Sequence, residues 1–226
     1  MKEEGGLLWL DEEAREDFRK AGLDSLAGLC SFQGGEVVSR AATRVCRKVP
    51  LGEKVYYVKT QVVQPSRLPL KKWPSYLGKG SPLAREARNA LRLRGMGVPT
   101  PKVAAWGLER FPWGMPKRSA LVTRAMEGFT DLEALALVDP EKVRVYLAAL
   151  EDLVAHLHRR GWVLGGVKLR NVLAGPSGEL ALLDLPDLGR VPFPGKRERD
   201  LKVLRADAER VLGREPVRAR PESRPQ

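Results

Sequence analysis

Residues 157–184 read LHRRGWVLGGVKLRNVLAGPSGELALLD, and their spacing decides how the fold of the chain is interpreted. The segment leaves a long amphipathic stretch, passes through Gly165 and Gly166, and reaches Asn171. Two short apolar runs then follow, separated by a Gly-Pro-Ser-Gly turn, and the second run ends at Asp184. The pattern predicts a helix, a loop and a β-hairpin that brings Asn171 and Asp184 together although they are 13 residues apart in the chain.

The composition is that of a globular protein. The chain has 226 residues, of which 43% are hydrophobic and 30% charged, and this suits one domain or two small lobes. No apolar run reaches the roughly 18 residues of a membrane-spanning helix, and the acidic start lacks a signal-peptide core, so neither feature is expected. Cys30 and Cys46 are too few for a disulfide framework and fit a reducing cytoplasm.

The formal charge of +12 is concentrated in one segment. Residues 40–80 contain ten Lys or Arg and one acidic residue, Glu53, which gives this segment a net charge of +9. Basic density of this kind favours partners that carry phosphate, such as nucleic acid, anionic lipid or a phosphorylated glycan. A solvated surface rich in Lys and Arg is the alternative, because charge alone says little about chemistry.

The rest of the sequence predicts strands first and helices later. Residues 8–21 have helical spacing and end at Gly22. Residues 26–59 are predicted to be β, with a hairpin turn at 51–54, and residues 65–82 a loop. Helices are predicted over 83–94, within 138–160 and over 197–212, and strands over 103–108, 119–123, 172–174 and 180–184. This order predicts an α+β fold with a β-rich first lobe and a helical second lobe.

Several residues have the types and positions that phosphoryl transfer requires. Lys59 ends the strand Val-Tyr-Tyr-Val-Lys as a phosphate-binding lysine does in kinases, and Glu86 in the next helix is placed to pair with it. Gly34 and Gly35 fall where a phosphate-covering turn between the first two strands is expected. Each also has an ordinary explanation. Lys59 would then be an exposed strand lysine, and Glu86 a first-turn glutamate that stabilises the helix dipole. Gly34 and Gly35 match the G-x-G-x-x-G pattern poorly.

Asn171 and Asp184 are the candidate metal ligands. Asp184 follows an apolar run, and a carboxylate buried there is costly without a cation or hydrogen bonds. Mg²⁺ shared with Asn171 would provide that compensation, whereas an aspartate that caps a turn beside Pro186 is the alternative. His158 is expected to be a helix-end residue and not a catalytic one.

The chain resembles the lipopolysaccharide core kinases, the Kdo and heptose kinases that share the protein-kinase fold. The resemblance is carried, in order along nearly the whole chain, by AGLDSLAGL (21–29), YYVKTQ (56–61), KKWPSYL (71–77), REARNALRLRGMGVPTPKVAAWGLER (85–110), SALVTRAMEGFTDLEAL (119–135), LHRRG (157–161) and LALLDL (180–185). The segments 85–110 and 119–135 are the most specific. The resemblance implies a two-lobed fold that binds Mg²⁺ and ATP in the cleft between its lobes.

The resemblance also implies a role for each matching position. It makes Lys59 the ATP lysine with Glu86 as its partner, residues 124–127 the hinge that meets adenine, and Asn171 and Asp184 the Mg²⁺ ligands. The ATP-binding residues expected in this way are Gly34, Gly35, Lys59, Glu86, Arg124 and Met126.

The expected domain organisation is one kinase-like domain over residues 1–212. Its N-lobe covers about 22–123, its hinge 124–127 and its C-lobe 128–212, and residues 213–226 are expected to be a disordered tail. The acceptor implied is a sugar of an anionic glycolipid at the inner face of a membrane, reached from the cytoplasm. The sequence does not predict the oligomeric state.

The catalytic loop departs from the family pattern. The usual His-Arg-Asp reads Leu164, Gly165 and Gly166, so that Gly166 occupies the position of the base. Replacement of the base by Asp187, which is near Asp184 in sequence, is a guess. Loss of a general base costs about 10²–10⁴-fold, yet a loose transition state depends chiefly on positioning and electrostatics. Three interpretations stay open: an active kinase, a pseudokinase that binds nucleotide or acts as a scaffold in envelope biogenesis, and a basic module for nucleic acid or a membrane surface.

Overall fold

The computed structural model describes residues 2–3, 6–67, 73–190 and 194–213. It divides into two compact units, the first formed by residues 1–127 with 184–186 and the second by residues 128–183 with 187–226. The expected disordered tail, apart from Gly213, lies outside the described residues, and so does part of the basic segment, residues 68–72.

The first unit is built on an antiparallel sheet. Within the described residues the sheet has seven strands in the order β1-β2-β6-β7-β5-β4-β3. These strands are β1 (Lys2–Glu3), β2 (Gly6–Leu10), β3 (Glu36–Ala41), β4 (Arg44–Leu51), β5 (Lys54–Val62), β6 (Val103–Arg110) and β7 (Pro116–Arg124). Tyr56 and Val58 of β5 are almost fully buried, and Phe18 packs edge-on against Tyr56 with ring centroids 5.1 Å apart.

Four helices accompany this sheet among the described residues. They are α1 (Arg15–Lys20), α2 (Leu26–Ser31), α3 (Trp73–Lys79) and α4 (Pro82–Gly95). Helix α4 begins with Pro82 in its first turn, a position where the missing N–H costs no hydrogen bond. Leu83 and Ala87 of α4 pack on Leu121 of β7, and this contact fixes which face of α4 points toward the sheet.

The second unit is mainly helical. It contains α5 (Leu132–Ala136), α6 (Pro140–Arg159), α7 (Pro194–Leu212) and a one-turn 3-10 helix at Leu169–Asn171. Its short strands are β8 (Thr130–Asp131), β9 (Trp162–Val163), β10 (Val172–Ala174), β11 (Leu180–Leu182) and β12 (Gly189–Arg190), paired as β11-β10-β8 and β12-β9. The side chain of Asp139 caps α6 by accepting a hydrogen bond from the amide of Lys142 at 3.0 Å. Among the described residues no helix is long and apolar enough to cross a bilayer.

The predicted α+β fold is confirmed, as are the predicted helices α4, α6 and α7, the 51–54 hairpin and the 172–184 hairpin. The helical prediction for residues 8–21 is wrong at its start, because Leu8 and Trp9 are extended in β2 and pair with Gly107 and Trp106 of β6. Pairing with a distant strand has overridden the local helical spacing.

Two further predictions are corrected. Residues 26–31, predicted to be β, form α2, because the Ser25 side chain accepts a hydrogen bond from the Gly28 amide at 3.0 Å and caps the helix. The predicted loop 65–82 contains α3. Gly34 and Gly35 therefore follow a helix and precede β3, whereas the reversal between β3 and β4 is made by Ala42 and Thr43.

Candidate functional site

Lys59 lies in the interior of the sheet, on β5, between Cys46 of β4 and Leu121 of β7. Its ammonium nitrogen Nζ is 2.5 Å from Oε1 of Glu86 on α4. The Glu86 side chain is 8% exposed and that of Lys59 26%, so the pair is screened little by solvent. The packing of α4 on the sheet produces this contact, because Glu86 lies beside the Leu83 and Ala87 anchors.

Asp184 is the second carboxylate in this cluster, and it is near enough for its negative charge to act on Glu86. Burial, together with the negative charge of Asp184, raises the pKa of Glu86 to about 7 against the opposing attraction of Lys59. Burial disfavours the charged form of Lys59, but the attraction of Glu86 and Asp184 outweighs it and raises the pKa of the ammonium. Two carboxylates and one ammonium thus leave an excess of negative charge when all are ionised.

The expectation that Asp184 is buried is wrong, because β11 ends at Leu182 and Asp184 is exposed. The cost of desolvation therefore gives no argument for a cation at this residue. Asp184 has a φ of 48°, which makes it the non-glycine residue with positive φ among those the structure describes. Backbone strain of this kind costs on the order of 1–3 kcal/mol and persists only when the surroundings impose it.

Helix α4 provides those surroundings. Nδ2 of Asn89 donates a hydrogen bond to the carbonyl of Leu185 at 2.8 Å, and Nη1 of Arg85 donates one to the carbonyl of Pro186 at 3.2 Å. The face of α4 that holds Glu86 therefore also holds the three-residue segment that begins with Asp184. One helix positions both carboxylates of the cluster.

The donor set fits a divalent cation. Mg²⁺ is usually held by one or two protein carboxylates with phosphate oxygens and water completing its shell. Asp184 is exposed and lies next to a second carboxylate whose pKa is raised, so a cation would relieve the repulsion between them. Among the described residues no group of three or more His, Cys, Asp or Glu converges on one point.

In the second unit, the loop around Gly166 is held by a single carboxylate of α7. Asp200 accepts hydrogen bonds from the amides of Leu164 at 2.7 Å and of Gly165 and Gly166 at 3.0 Å. Nε2 of His158 lies 3.1 Å from the same carboxylate. Since Asp200 is 3% exposed, its three amide hydrogen bonds fix the loop backbone firmly, and His158 helps to hold the carboxylate in place. His158 is thus near the end of α6, as predicted, and it braces the loop from inside the unit.

Both loop glycines have structural reasons to be glycine. The φ angles of Gly165 and Gly166 are 80° and 102°. A β-carbon at Gly165 would lie 2.6 Å from Cβ of Asp187, and one at Gly166 would lie 3.2 Å from Cγ1 of Val203. Asp187 therefore occupies space beside the loop that a side chain at position 165 would need.

The other predicted residues are distributed over both units. Asn171 ends the 3-10 helix of the second unit, and its carbonyl accepts a hydrogen bond from the Leu183 amide at 2.8 Å. The amides of Arg124 and Ala125 donate to the carbonyls of Lys102 and Val55, and the predicted contact of residues 124–127 with adenine stays a prediction.

Gly34 and Gly35 have a different position from the one expected. A β-carbon on Gly35 would lie 2.5 Å from the carbonyl oxygen of Lys48, and Gly35 has a φ of 77°. This glycine is therefore explained by the close approach of the chain to β4. Its predicted role in covering phosphates stays a prediction.

The sequence-based interpretation missed the aspartates of α7. Asp207 is 8% exposed and accepts a hydrogen bond from the Leu169 amide at 2.8 Å, seven residues after Asp200. A signal was present, because seven residues are two helical turns and place both carboxylates on one face, among apolar residues.

A sheet lysine paired with a helix glutamate, together with a braced loop in a separate helical unit, is characteristic of protein-kinase-like proteins. The sequence model of the Lipopolysaccharide kinase (Kdo/WaaP) family matches residues 35–214, which is most of the chain. The chain belongs to this family, and membership supports a kinase-like role related to lipopolysaccharide. No curated protein matches it.

Proposed function

We propose that the chain binds Mg²⁺-ATP and transfers its terminal phosphoryl group to a sugar hydroxyl of an anionic glycolipid. The observation that carries the proposal is the Lys59–Glu86 ion pair with Asp184 beside it. Glu86 holds the lysine ammonium in one place, and the ammonium in turn binds phosphate oxygens of ATP. Asp184 and Asn171 would hold Mg²⁺, which when bound neutralises phosphate charge.

The loop of the second unit would organise the acceptor. In the reaction the acceptor oxygen bonds to the γ-phosphorus, the bond from that phosphorus to the bridging oxygen breaks, and its electron pair leaves with ADP. The hydroxyl proton needs an acceptor, and Gly166 has none. Asp187 is exposed and lies against Gly165, so its carboxylate is our candidate for the proton acceptor.

A pseudokinase is the second candidate, and Gly166 is the observation that favours it. The φ of 102° and the 3.2 Å approach to Val203 mean that the loop is built for glycine at this position. In this alternative the chain binds nucleotide without transferring phosphate.

Thermal unfolding with and without Mg²⁺-ATP tests nucleotide binding. Ligand at 100 times its dissociation constant stabilises the folded state by about 2.7 kcal/mol. For a chain of this size the midpoint would rise by roughly 5–10 °C. We expect Lys59→Met and Asp184→Ala to abolish the rise and Asp152→Ala, which removes an exposed carboxylate of α6, to keep it. A wild-type chain without any rise would contradict the proposal.

Transfer of labelled γ-phosphate from ATP to purified lipopolysaccharide separates the two candidates. A kinase that uses Asp187 would incorporate label, and Asp187→Asn would lower the rate by about 10²–10⁴-fold while the thermal rise with Mg²⁺-ATP is kept. A thermal rise without incorporation by the wild-type chain would identify a pseudokinase.

A further inference from the structure

The loop between β6 and β7 presents aromatic side chains to solvent. Phe111 and Trp113 are stacked with ring centroids 4.6 Å apart and planes within 4° of parallel. Trp113 is nevertheless 57% exposed, the highest value among the exposed aromatic residues of the described chain. The loop is held in shape by the Phe111 amide, which donates to the carbonyl of Met115, and by Nη1 of Arg110, which donates to the carbonyl of Gly114 at 2.6 Å.

The loop and helix α3 pack against the same buried cluster. Phe111, Trp73 and Tyr76 all pack on the small buried cluster formed by Val63 and Met115. Leu77, the residue after Tyr76 on α3, is 47% exposed. We call Phe111, Trp113 and Leu77 the aromatic tip. An exposed apolar group of this size on a fixed support marks a surface that meets another phase or molecule.

Cations lie on the same hairpin as the aromatic tip and beside α3. Lys117 and Arg118 of β7 are 45% and 35% exposed, and both bind Glu109, so this group carries one net positive charge. Arg110 adds a second positive charge beside the end of α3, where a β-carbon on Gly80 would lie 3.4 Å from its Nη2. In sequence, Lys71 and Lys72 directly precede α3.

We propose that the aromatic tip inserts into the interface of a membrane that contains anionic lipid. Tryptophan with its amphipathic ring favours the headgroup level of a bilayer, and neighbouring Lys and Arg are attracted to anionic headgroups. The stacked rings lie at the turn of the β6–β7 hairpin, and the exposure of Trp113 there suits a fluid interface. The proposal is independent of nucleotide binding, because it rests on the hairpin and α3 and not on Lys59 or Asp184.

Sedimentation of the full chain with phospholipid vesicles tests the proposal. We expect binding to vesicles with one quarter anionic lipid, weaker binding to purely zwitterionic vesicles, and loss of binding as salt increases. Trp113→Ala and Leu77→Ser should each weaken binding by at least about tenfold, as expected when a large apolar side chain no longer leaves water. Trp9→Ala is the matched control, since Trp9 is 39% exposed on β2.

Quenching by brominated lipid identifies the residue that inserts. Quenching of tryptophan fluorescence should persist in Trp9→Ala and fall strongly in Trp113→Ala. The proposal is overturned if the wild-type chain binds neither kind of vesicle, or if Trp113→Ala binds as well as wild type. It is also overturned if Trp113→Ala changes only self-association measured by sedimentation velocity, because the tip would then be a protein interface.

Discussion

A side chain at position 166 would have to overcome two separate obstacles. One is the φ of 102°, and the other is the 3.2 Å approach of its β-carbon to Cγ1 of Val203. We expect Gly166→Ala to lower the free energy of unfolding by about 1–3 kcal/mol, measured by urea denaturation. Gly178→Ala is the matched control, because Gly178 has a φ of 90° but no atom within 4 Å of the added carbon.

The control should lose only the backbone part of the effect, about 1–2 kcal/mol. Adding Val203→Ala to Gly166→Ala should recover part of any further loss. Equal losses at positions 166 and 178 would show that Val203 has no influence. For the same reasons we expect Gly166→Asp to destabilise the loop. Failure of that variant to restore phosphoryl transfer would therefore not show that the rest of the site is non-functional.

The raised pKa of Glu86 predicts how stability depends on pH. The folded pKa is about 7, whereas an unfolded glutamate titrates near about 4.3. Between these values the folded chain binds more protons than the unfolded chain, so stability contributed by protonated Glu86 is full below the lower value and is lost as pH rises through the higher one. The loss is on the order of 3 kcal/mol.

Urea unfolding from pH 4.5 to 8 measures this loss. We expect Glu86→Gln to remove most of the fall in stability that the wild-type chain shows, and Glu127→Gln, which changes an exposed glutamate of the same unit, to keep it. The pKa of Lys59 is raised, so its ammonium stays charged over this range and adds no slope. Parallel curves for wild type and Glu86→Gln would refute the pKa assignment.

At the scale of elements, helix α7 acts as the brace of the loop before Asn171. Asp200 binds the amides of residues 164–166, and Asp207 binds that of Leu169. Removing either carboxylate leaves one buried amide without an acceptor, that of Leu164 or that of Leu169, at about 1–3 kcal/mol for each. Amide hydrogen exchange measured by mass spectrometry can distinguish a loss of protection at residues 164–166 from one at Leu169.

We expect Asp200→Ala to speed exchange at residues 164–166 and Asp207→Ala to speed exchange at Leu169, each with little effect at the other end. Asp152→Ala on α6 is the control for loss of an aspartate that makes no such contact with the loop. Uniform loss of protection over the whole loop in both variants would mean that α7 acts by packing and not through these carboxylates.

The elements themselves were predictable where their pattern is local. Helices α4 and α6 have long apolar faces, and the 51–54 and 172–184 hairpins have clear turn residues. β2 was not predictable in this way, because its extended form depends on pairing with β6 about 100 residues later. α2 has only six residues, and its main signal is the single cap residue Ser25.

In the candidate site, too, features with a local sequence pattern could be predicted and features that depend on distant contacts could not. The Lys59–Glu86 pair could be predicted, since each residue follows a recognisable element and the spacing allows only a few pairings. The bracing of the loop by α7 could not be predicted. Its hydrogen bonds join residues 34 to 38 positions apart, and the sequence does not indicate which amides Asp200 and Asp207 bind. The exposure of Asp184 also escaped prediction, since an apolar run does not show where its strand stops.

At the scale of the whole molecule, the positive charge is concentrated in the first unit. Residues 40–80 account for +9 of the total of +12. Two of these cations are not part of an open surface, because Arg47 is buried and donates to Gln33 and Lys59 pairs with Glu86. Arg40, Arg44 and Lys48 are exposed on β3 and β4 and form a basic strand pair at the sheet edge.

The basic strand pair and the aromatic tip should behave differently toward two anionic partners. We expect Arg44→Gln combined with Lys48→Gln to weaken binding to short duplex DNA and to anionic vesicles alike. The phosphates of DNA and the anionic lipid headgroups both attract cations without specific contacts. For DNA, the dependence of the logarithm of the binding constant on that of salt concentration should fall by about two, one for each cation removed. Trp113→Ala should weaken vesicle binding and leave DNA binding unchanged, because duplex DNA offers no apolar interior to an exposed ring.

The double variant Arg159→Gln with Arg160→Gln is the control, because it removes the same charge from exposed positions in the second unit. If that control pair weakens binding as strongly as the strand pair does, the partner responds to net charge and not to a surface of the first unit.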